Sequence, residues 1–374
     1  MSTIAFKDLH FNDYERVVRV SDAKSGLKAF IAIHNTNLGP AMGGCRLWNY
    51  SNEELAITDA LRLSRGMSYK NAVAGLPIGG GKCVIMGTPG REKSPAQFEA
   101  LGEALERLGG TYITAEDVGT TPQDMSWVAT RTKYVGGLGA DGDPSPYTAL
   151  GCFVGAQAAI NFRFKRHDFD GLTVAVQGLG HVGYELAKLL HKAGANLIVA
   201  DINTQSLERA RAEFNAQIVD VEAIYDAEAD IYAPCALGAT LNINTMKRLK
   251  VKIIAGAANN QLAATEIGEL LKARGILYAP DYVINAGGII KVCYEYFKKP
   301  AILVDAHILE VKSTLLNIFA LAELNGTSTS AVADEMALAK IARAKALSLD
   351  RLSFEYSKIG SSSFATEGRV MMAK

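Results

Sequence analysis

The sequence has few cysteines, no long apolar run and no excess of charge of either sign. Its five cysteines are widely spaced and form no C-x-x-C pair, which argues against both a disulfide framework and a cysteine zinc site. Apolar residues never run together long enough to cross a bilayer, and residues 1–10 carry no apolar stretch. We therefore expect reduced thiols and a cytoplasmic location, with neither a membrane span nor a secretory leader.

The net charge of the chain indicates which classes of partner to expect. Lysine and arginine together number 39, and aspartate and glutamate also number 39, in a chain of 374 residues. A chain without net charge has no general attraction to nucleic acid or to an anionic membrane, so neither is predicted as a partner. The six histidines lack the spacing of metal ligands, and no metal is predicted. Small molecules are the expected ligands.

Alternating strand and helix patterns predict an α/β fold. The first part contains two β-rich runs, 16–20 and 27–34, joined by a Lys-Ser-Gly turn that suggests a hairpin. A capping box from Ser51 to Glu54 predicts the start of a helix, and a later helix over 94–108 leads to a short strand over 111–115. The glycine-rich segment between the two helices is not assigned a strand.

A stretch rich in glycine, proline and aspartate, residues 136–146, predicts a domain boundary. Beyond it, apolar strands alternate with helical segments, which favours a parallel sheet with helices on both faces. We therefore predict two domains, 1–137 and 138–330, with a cleft between them. The end of the chain shows only helical patterns and is assigned as a separate segment, 331–374.

The second domain contains a dinucleotide-binding pattern, Gly178-Leu-Gly-His-Val-Gly183, between an apolar strand and an amphipathic helix. In such a turn the first glycine permits the tight bend, the second lets a pyrophosphate approach the backbone, and the third lets helix and strand pack closely. Asp201 closes the next strand, where a carboxylate can accept both hydroxyls of the adenosine ribose and repel a 2′-phosphate. The pattern therefore predicts a Rossmann-type domain that binds NAD rather than NADP.

The first domain contains a lysine that follows three glycines, Gly79-Gly-Gly-Lys82. It is not a phosphate-binding P-loop, because Leu76 and Cys83 replace the glycine and the serine or threonine of that motif. Glycines remove side chains from around Lys82, so another molecule or the ammonium itself could occupy a tight, partly dry pocket, and a desolvated lysine can act as a general base. The alternative is a surface lysine after a flexible loop. Lys70 and Asp117 could complete a site for an anionic substrate, although the sequence alone does not bring them together.

Seven segments resemble the glutamate/leucine/phenylalanine/valine family of amino-acid dehydrogenases, and the leucine branch of that family most closely. They occur in the family's order over nearly the whole chain: LGPAMGG (38–44), GMSYKN (66–71), GGGK (79–82), TAEDVG (114–119), GLGHVG (178–183), AANNQL (257–262) and YAPDYVINAGG (278–288). The resemblance implies an N-terminal mixed-sheet α/β domain for catalysis and oligomerisation, a Rossmann-type NAD-binding domain, and C-terminal helices that pack back on the first domain. It also implies a homo-oligomer that uses NAD for the reversible oxidative deamination of an L-amino acid to the 2-oxo acid and ammonia.

The same resemblance assigns roles to single residues. Lys70 would hold the substrate carboxylate, Lys82 would polarise the catalytic water, and Asp117 would carry protons to and from the amino group. The Gly43 carbonyl would orient the amine, and Asn285 would touch the substrate carboxylate or the nicotinamide. The positions that match the family's cofactor site are Thr148, Gly178, Leu179, Gly180, His181, Val182, Gly183, Asp201 and Asn259.

The residues that match the family's side-chain pocket are apolar: Met42, Ala115, Ile289 and Val292. Such a pocket would leave a second substrate carboxylate buried without a cation, so glutamate is disfavoured. Ala115, in place of glycine, favours branched aliphatic side chains, and leucine above the others, over aromatic ones. The sequence departs from the family at Cys45, His181 and Lys291, and Lys291 would be either a solvated helix charge or an altered rim of the pocket.

Three other interpretations stay open at this point. A phenylalanine or valine dehydrogenase of the same family would share the motifs above. A 2-hydroxy acid dehydrogenase would need a histidine–carboxylate pair after the nucleotide fold, but no histidine follows His191 until His307. A catalytically silent NAD-binding sensor would retain the glycine turn and lose Lys70, Lys82 or Asp117, and all three are present.

Overall fold

Two six-stranded sheets organise the chain in the computed structural model, which describes residues 4–89, 93–139 and 143–364, with side chains to residue 347. The first sheet has the strand order β1-β2-β3-β5-β4-β6. Its pairs are antiparallel from β1 to β5, whereas β5–β4 and β4–β6 are parallel, so the sheet is mixed as predicted. The strands are β1 (Ala5–Leu9), β2 (Arg16–Asp22), β3 (Leu27–Asn35), β4 (Ala41–Trp48), β5 (Gly79–Met86) and β6 (Tyr112–Glu116).

Helix α1 (Glu53–Val73) crosses one face of this sheet and packs against β5 and β3. Its N-cap is Asn52, whose side chain accepts a hydrogen bond from the Leu55 amide at 2.9 Å. The predicted capping box at Ser51 is therefore wrong by one residue, because asparagine satisfies the first free amides equally well. On the other side of the sheet lie α2 (Pro95–Arg107) and α3 (Pro122–Ala129).

Strand β5 contains the three glycines of the GGGK segment and lies inside the first sheet. Each glycine is required by the protein's own packing. An added Cβ would lie 1.9 Å from the Asn35 carbonyl oxygen at Gly79, 2.1 Å from the Ser68 amide at Gly80 and 2.5 Å from the Tyr112 ring at Gly81. The glycines therefore make room for the protein's own groups, and Lys82, which follows them, is 4% exposed, in agreement with the predicted ammonium in a tight, partly dry pocket.

The second sheet is parallel throughout, with the order β12-β11-β10-β7-β8-β9. Its strands are β7 (Thr173–Gln177), β8 (Asn196–Ala200), β9 (Gln217–Ile218), β10 (Ile231–Pro234), β11 (Ile253–Ile254) and β12 (Leu277–Tyr278). Its helices are α4 (Ser145–Phe164), α5 (His181–Lys192), α6 (Thr204–Phe214), α7 (Ile243–Arg248) and α8 (Glu266–Ala273). The alternation of strands and helices confirms the doubly wound pattern. Helix α4 begins at Ser145, with a proline in its first turn.

The remaining helices join the two sheets. These are α9 (Asp281–Ile284), α10 (Gly287–Tyr296), α11 (Ile302–Asn325) and α12 (Thr329–Phe364). Helix α11 packs on α4, and α12 packs on both α11 and α1, where Lys340 donates a hydrogen bond to the Val73 carbonyl at 2.9 Å. Residues 140–142 of the predicted boundary and 365–374 of the predicted last segment lie outside the described residues. No helix in the described part of the chain is long and apolar enough to cross a membrane.

Candidate active site

Four of the predicted site residues, Met42, Lys82, Ala115 and Asp117, share the face of the first sheet that α1 covers. Side chains along a strand alternate between its two faces, and Gly80 of β5 packs against α1. Lys82, two residues later, therefore points to the same side. The parallel strands β5, β4 and β6 thus bring together residues from three distant parts of the sequence.

Lys82 and Asp117 form an ion pair on this face. The Nζ atom of Lys82 lies 2.9 Å from Oδ2 of Asp117, and the two side chains are 5% and 22% exposed. Gly44 permits this position of Asp117, because an added Cβ at Gly44 would lie 2.6 Å from the Cβ atom of Asp117. The Thr120 hydroxyl accepts a hydrogen bond from the Asp117 amide at 2.9 Å and fixes the following turn. Lys82 is therefore not a surface lysine on a flexible loop.

Arg46 is a third charged group at this site, and sequence reasoning missed it. Its Nε atom lies 3.0 Å from the same Oδ2 atom of Asp117, and its Nη1 atom lies 2.9 Å from Asp59. Burial alone would raise the pKa of Asp117, but the Lys82 ammonium and the Arg46 guanidinium hold it below its usual value. Asp117 is therefore a carboxylate at neutral pH.

Lys70, in the last turn of α1, faces the second domain across the cleft. Its Nζ atom donates a hydrogen bond to Oδ1 of Asn259 at 3.2 Å, and the same oxygen accepts one from Nδ2 of Asn285 at 2.7 Å. Lys70 keeps part of its surface open to the cleft, but its deep position lowers its pKa to about 8 through desolvation. Lys82 is also buried, as predicted, and it has in addition a carboxylate partner.

The predicted side-chain pocket forms one apolar cluster. Met42, Ala115 and Val292 belong to it, and Ile289 packs against it. Gly136 begins the segment between the two domains, which we call the interdomain segment. It packs directly against the cluster, because an added Cβ at Gly136 would lie 2.8 Å from Cγ1 of Val292. The cluster adjoins the Lys82–Asp117 pair, since Ala115 precedes Asp117 by two residues on the same face.

Lys291 of α10 is buried, with 8% of its surface exposed. Its ammonium forms an ion pair with Glu295 on the next turn, and the other carboxylate oxygen of Glu295 accepts a hydrogen bond from the Gly139 amide. The prediction of a solvated helix charge is therefore wrong. The pair instead attaches α10, which carries Val292, to the interdomain segment.

The Gly43 carbonyl, predicted to orient the substrate amine, accepts a hydrogen bond from the Tyr112 hydroxyl at 2.8 Å. Gly43 itself cannot be replaced without movement of β5, because an added Cβ would lie 1.9 Å from the Gly81 carbonyl oxygen. Sequence reasoning did not identify Tyr112 as the partner of this carbonyl.

The three glycines of the dinucleotide turn have three different environments. Gly178 has a φ of +97°, which favours glycine, and an added Cβ at Gly183 would lie 2.0 Å from the Gly178 carbonyl oxygen. At Gly180 an added Cβ would meet nothing within 4 Å. Gly180 is the N-cap residue of α5 and provides no side-chain hydrogen bond, so the first amides of that helix are available to a ligand. These features fit a pyrophosphate at the N-terminus of α5.

Asp201, directly after β8, lies beside this turn. Its two carboxylate oxygens accept hydrogen bonds from the Leu179 amide and, at 2.7 Å, from the Asn203 amide. Val182 packs against the core of the second domain, whereas the ring of His181 is exposed and lies 3.8 Å from Asp143. The turn and the second-strand carboxylate are therefore adjacent, as the sequence predicts.

Thr148, in the first turns of α4, lies close to the start of α10. An added Cβ at Gly288 would lie 2.6 Å from Oγ1 of Thr148. Thr148 thus lies beside Gly288, the residue that precedes Ile289, while Asn259 contacts Lys70. Thr148 and Asn259 therefore belong to the second domain and lie on its surface towards the first domain. In the described ranges, no three histidine, cysteine or acidic side chains are placed to hold a metal.

Comparison with known proteins identifies the family. The model described as "Glu/Leu/Phe/Val dehydrogenase, dimerisation domain" matches residues 14–134, and the model described as "Glutamate/Leucine/Phenylalanine/Valine dehydrogenase" matches residues 199–347. Leucine dehydrogenase of Bacillus subtilis (strain 168) is 50% identical over 342 residues, which cover 90% of this chain and 94% of that protein. The chain belongs to the Glu/Leu/Phe/Val dehydrogenase family.

Other members of the Glu/Leu/Phe/Val dehydrogenase family are also similar over most of the chain. Phenylalanine dehydrogenase of Bacillus thermotolerans is 44% identical over 334 residues, which cover 87% of each protein. The crystal structure of L-tryptophan dehydrogenase from Nostoc punctiforme matches with a TM-score of 0.79 at 42% identity, over 89% of this chain and 97% of that one. Membership confirms the predicted family, the two-domain α/β fold and the enzyme class, an oxidoreductase acting on CH–NH2 donors. It also sets aside the 2-hydroxy acid dehydrogenase alternative.

Proposed function

We propose that the chain catalyses the reversible, NAD-dependent oxidative deamination of a branched-chain aliphatic L-amino acid, with leucine as the preferred substrate. The observation that carries this proposal is the position of Lys70, Lys82 and Asp117 around an apolar cluster. Two cations and a carboxylate suit the polar end of an amino acid, and the cluster suits its aliphatic end. The similarity to leucine dehydrogenases at about half identity supports the same substrate.

Lys70 would bind the substrate carboxylate. Its ammonium has an uncharged partner, Oδ1 of Asn259, which a carboxylate can displace with a gain in electrostatic energy. Asn285, which donates to that same Asn259 oxygen and to the Ala257 carbonyl, could turn an amide hydrogen to the incoming carboxylate or to the nicotinamide. The contact would therefore orient the substrate across the cleft.

Lys82 and Asp117 would carry out the proton transfers of the reaction. Asp117 would accept a proton from the substrate amino group, which the Gly43 carbonyl would orient. Lys82 would polarise the water that adds to the iminium and stabilise the oxygen that becomes the carbonyl. When bound, the nicotinamide supplies the acceptor for the hydride that leaves Cα. Ammonia and the 2-oxo acid are then the products.

The apolar cluster would select the side chain. A second carboxylate, as in glutamate, would lie among apolar side chains and lose several kcal/mol of hydration without a cation to replace it. A branched aliphatic group would gain about 0.8 kcal/mol for each methylene that it buries. These terms favour leucine, isoleucine and valine over both glutamate and alanine.

The position of Asp201 supports NAD as the cofactor. A ribose 2′-phosphate at this place would meet a carboxylate of the same sign. We also propose that the protein forms a homo-oligomer through its first domain, because the family model for that domain is described as a dimerisation domain. Sedimentation of the purified protein tests this second point.

The function is tested by incubating the purified protein with NAD and a panel of L-amino acids. We expect reduced nicotinamide, ammonia and the 2-oxo acid in equal amounts from leucine, isoleucine and valine. The Lys82→Ala variant is the matched control, and its kcat should be at least ~100-fold lower while NAD still binds. Binding of NAD without turnover of any L-amino acid would instead indicate the catalytically silent sensor.

A further inference from the structure

Arg46 stands between two carboxylates and next to the residue to which we assign proton transfer. Its guanidinium spans Asp117 on one side and Asp59 on the other, at 3.0 Å and 2.9 Å. Its side chain is 19% exposed, and the two carboxylate side chains are 22% and 15% exposed. A guanidinium in such an enclosed position is held in a fixed orientation, because each end has a charged partner.

Lys82 and Arg46 contact the same oxygen of Asp117. Lys82 Nζ lies 2.9 Å and Arg46 Nε lies 3.0 Å from Oδ2. The two cations therefore fix the carboxylate through Oδ2, and neither of these two contacts uses the other oxygen, Oδ1. A base needs one oxygen that is available for the proton, and Oδ1 fits this requirement.

We propose that Arg46 is a positioning residue: it keeps Asp117 ionised, with Oδ2 against Lys82 and Oδ1 directed to the substrate amino group. This proposal rests on the proposed function, in which Asp117 accepts the proton. Lys82 alone cannot perform this role throughout the reaction, because its ammonium must also serve the water and the developing carbonyl oxygen. Arg46 does not contact the reacting atoms in this arrangement and acts only through Asp117.

Asp59 extends the arrangement to the surface of α1. Its Oδ2 atom also accepts a hydrogen bond from the Tyr50 hydroxyl at 2.6 Å, and its Oδ1 atom lies 3.1 Å from Arg62. These contacts hold the Asp59 carboxylate in the position from which it binds Arg46. Burial would raise the pKa of Asp59, but Tyr50, Arg46 and Arg62 together hold it below its usual value. Asp59 thus remains the anionic partner that holds Arg46 in place.

The charged and titratable groups around Asp117 come from every element packed against it. They are Arg46 and Cys45 on β4, Lys82 on β5, Lys70 on α1, and Glu116 on β6. Lys82 and Arg46 are the two that make direct contact. Removal of Arg46 would leave burial opposed by Lys82 alone, so the pKa of Asp117 should rise.

The proposal is tested by the pH profile of kcat/KM for L-leucine in the wild type and in Arg46→Met. In the variant the acid limb should move up by about one to two pH units, because more alkaline solution is needed to ionise Asp117. At one pH on that acid limb, kcat/KM of the variant should be ~10-fold or more below that of the wild type, and the two values should converge as the pH rises towards neutrality. Arg46→Lys keeps the charge without the fork of donors, so its shift should be smaller.

Arg131→Met is the matched control, because it removes an exposed arginine–glutamate pair in the same domain. Its profile should coincide with that of the wild type. If Arg46→Met does not fold, Arg46→Gln removes the same charge with a polar side chain and should move the acid limb in the same direction. A profile that stays in place in every variant that folds would overturn the role of Arg46. A wild type that oxidises no L-amino acid would instead contradict the proposed function.

Discussion

Lys70 of α1 and Asn259 of the second domain meet across the cleft, with 3.2 Å between Nζ and Oδ1. The contact joins the sheet that carries Lys82 and Asp117 to the domain that carries the dinucleotide turn. It also leaves a partly buried ammonium without a charged partner at this contact. That arrangement suits a substrate carboxylate, which could take the place of the neutral amide oxygen.

The pH dependence of substrate binding should follow from Lys70. Its pKa is lowered to about 8 by burial, so its ammonium form is lost as the pH rises through about 8. We therefore expect kcat/KM for L-leucine to fall on an alkaline limb near that pH. In Lys70→Arg the guanidinium stays charged, and the limb should disappear or move to higher pH. An unchanged limb in this variant would assign it to another group.

Cofactor choice should depend on Asp201. The wild type should use NAD with a higher kcat/KM than NADP, because the carboxylate repels a 2′-phosphate. Asp201→Ser removes this charge and should lower the ratio of the two values. The two cofactors are compared at the same leucine concentration. A wild type that already uses NADP as well as NAD would contradict this assignment.

Removal of one partner of the buried Lys291–Glu295 pair should destabilise the protein more than removal of both. Glu295→Leu leaves the Lys291 ammonium buried without its partner and should lower the free energy of unfolding by about 2 kcal/mol or more. Lys291→Met combined with Glu295→Leu replaces both charges by apolar groups and should recover most of that loss. Chemical denaturation of the three proteins measures the difference. Equal stability of the single and the double variant would show that the ammonium finds water or another partner.

The depth of the substrate pocket should depend on Ala115. Ala115→Gly removes one methyl group from the apolar cluster and should raise kcat/KM for L-phenylalanine relative to L-leucine by up to ~10-fold. Ala29→Gly is the control, because Ala29 is buried in the same sheet but belongs to a different cluster. The control should leave the ratio of the two substrates unchanged. An equal change in both variants would indicate general loosening of the sheet.

Local sequence patterns predicted the elements that depend on local chemistry. The hairpin of β2 and β3 follows from two β-rich runs and a glycine turn, and pairs Arg16 with Ile33 as expected of adjacent strands. The dinucleotide turn was predicted from the spacing of its glycines. The first of them, Gly178, has a positive φ, a backbone conformation that favours glycine. The seven segments that resemble the Glu/Leu/Phe/Val dehydrogenases predicted the family, which no single local pattern could do.

Strands β4 and β5 were not predicted, because glycine is a poor strand former and their stability comes from non-local packing. Only glycine fits at positions 80 and 81, because Ser68 and Tyr112 approach the backbone closely there. Neither contact can be recognised from the local sequence. Arg46 was missed for a similar reason. It lies 71 residues from Asp117 in the chain, and only the pairing of β4 with β6 brings the two together.

The central claim is that this enzyme deaminates a branched aliphatic amino acid, and one comparison tests it most directly. The measurement is kcat/KM of the purified wild-type protein with NAD for L-leucine, L-phenylalanine and L-glutamate in one buffer at one pH. We expect leucine first, phenylalanine lower, and glutamate lowest by a wide margin because its second carboxylate would be buried without a cation. Phenylalanine in first place would change the preferred side chain and leave the proposed chemistry standing. Glutamate in first place would contradict the assignment of the apolar cluster as the substrate pocket.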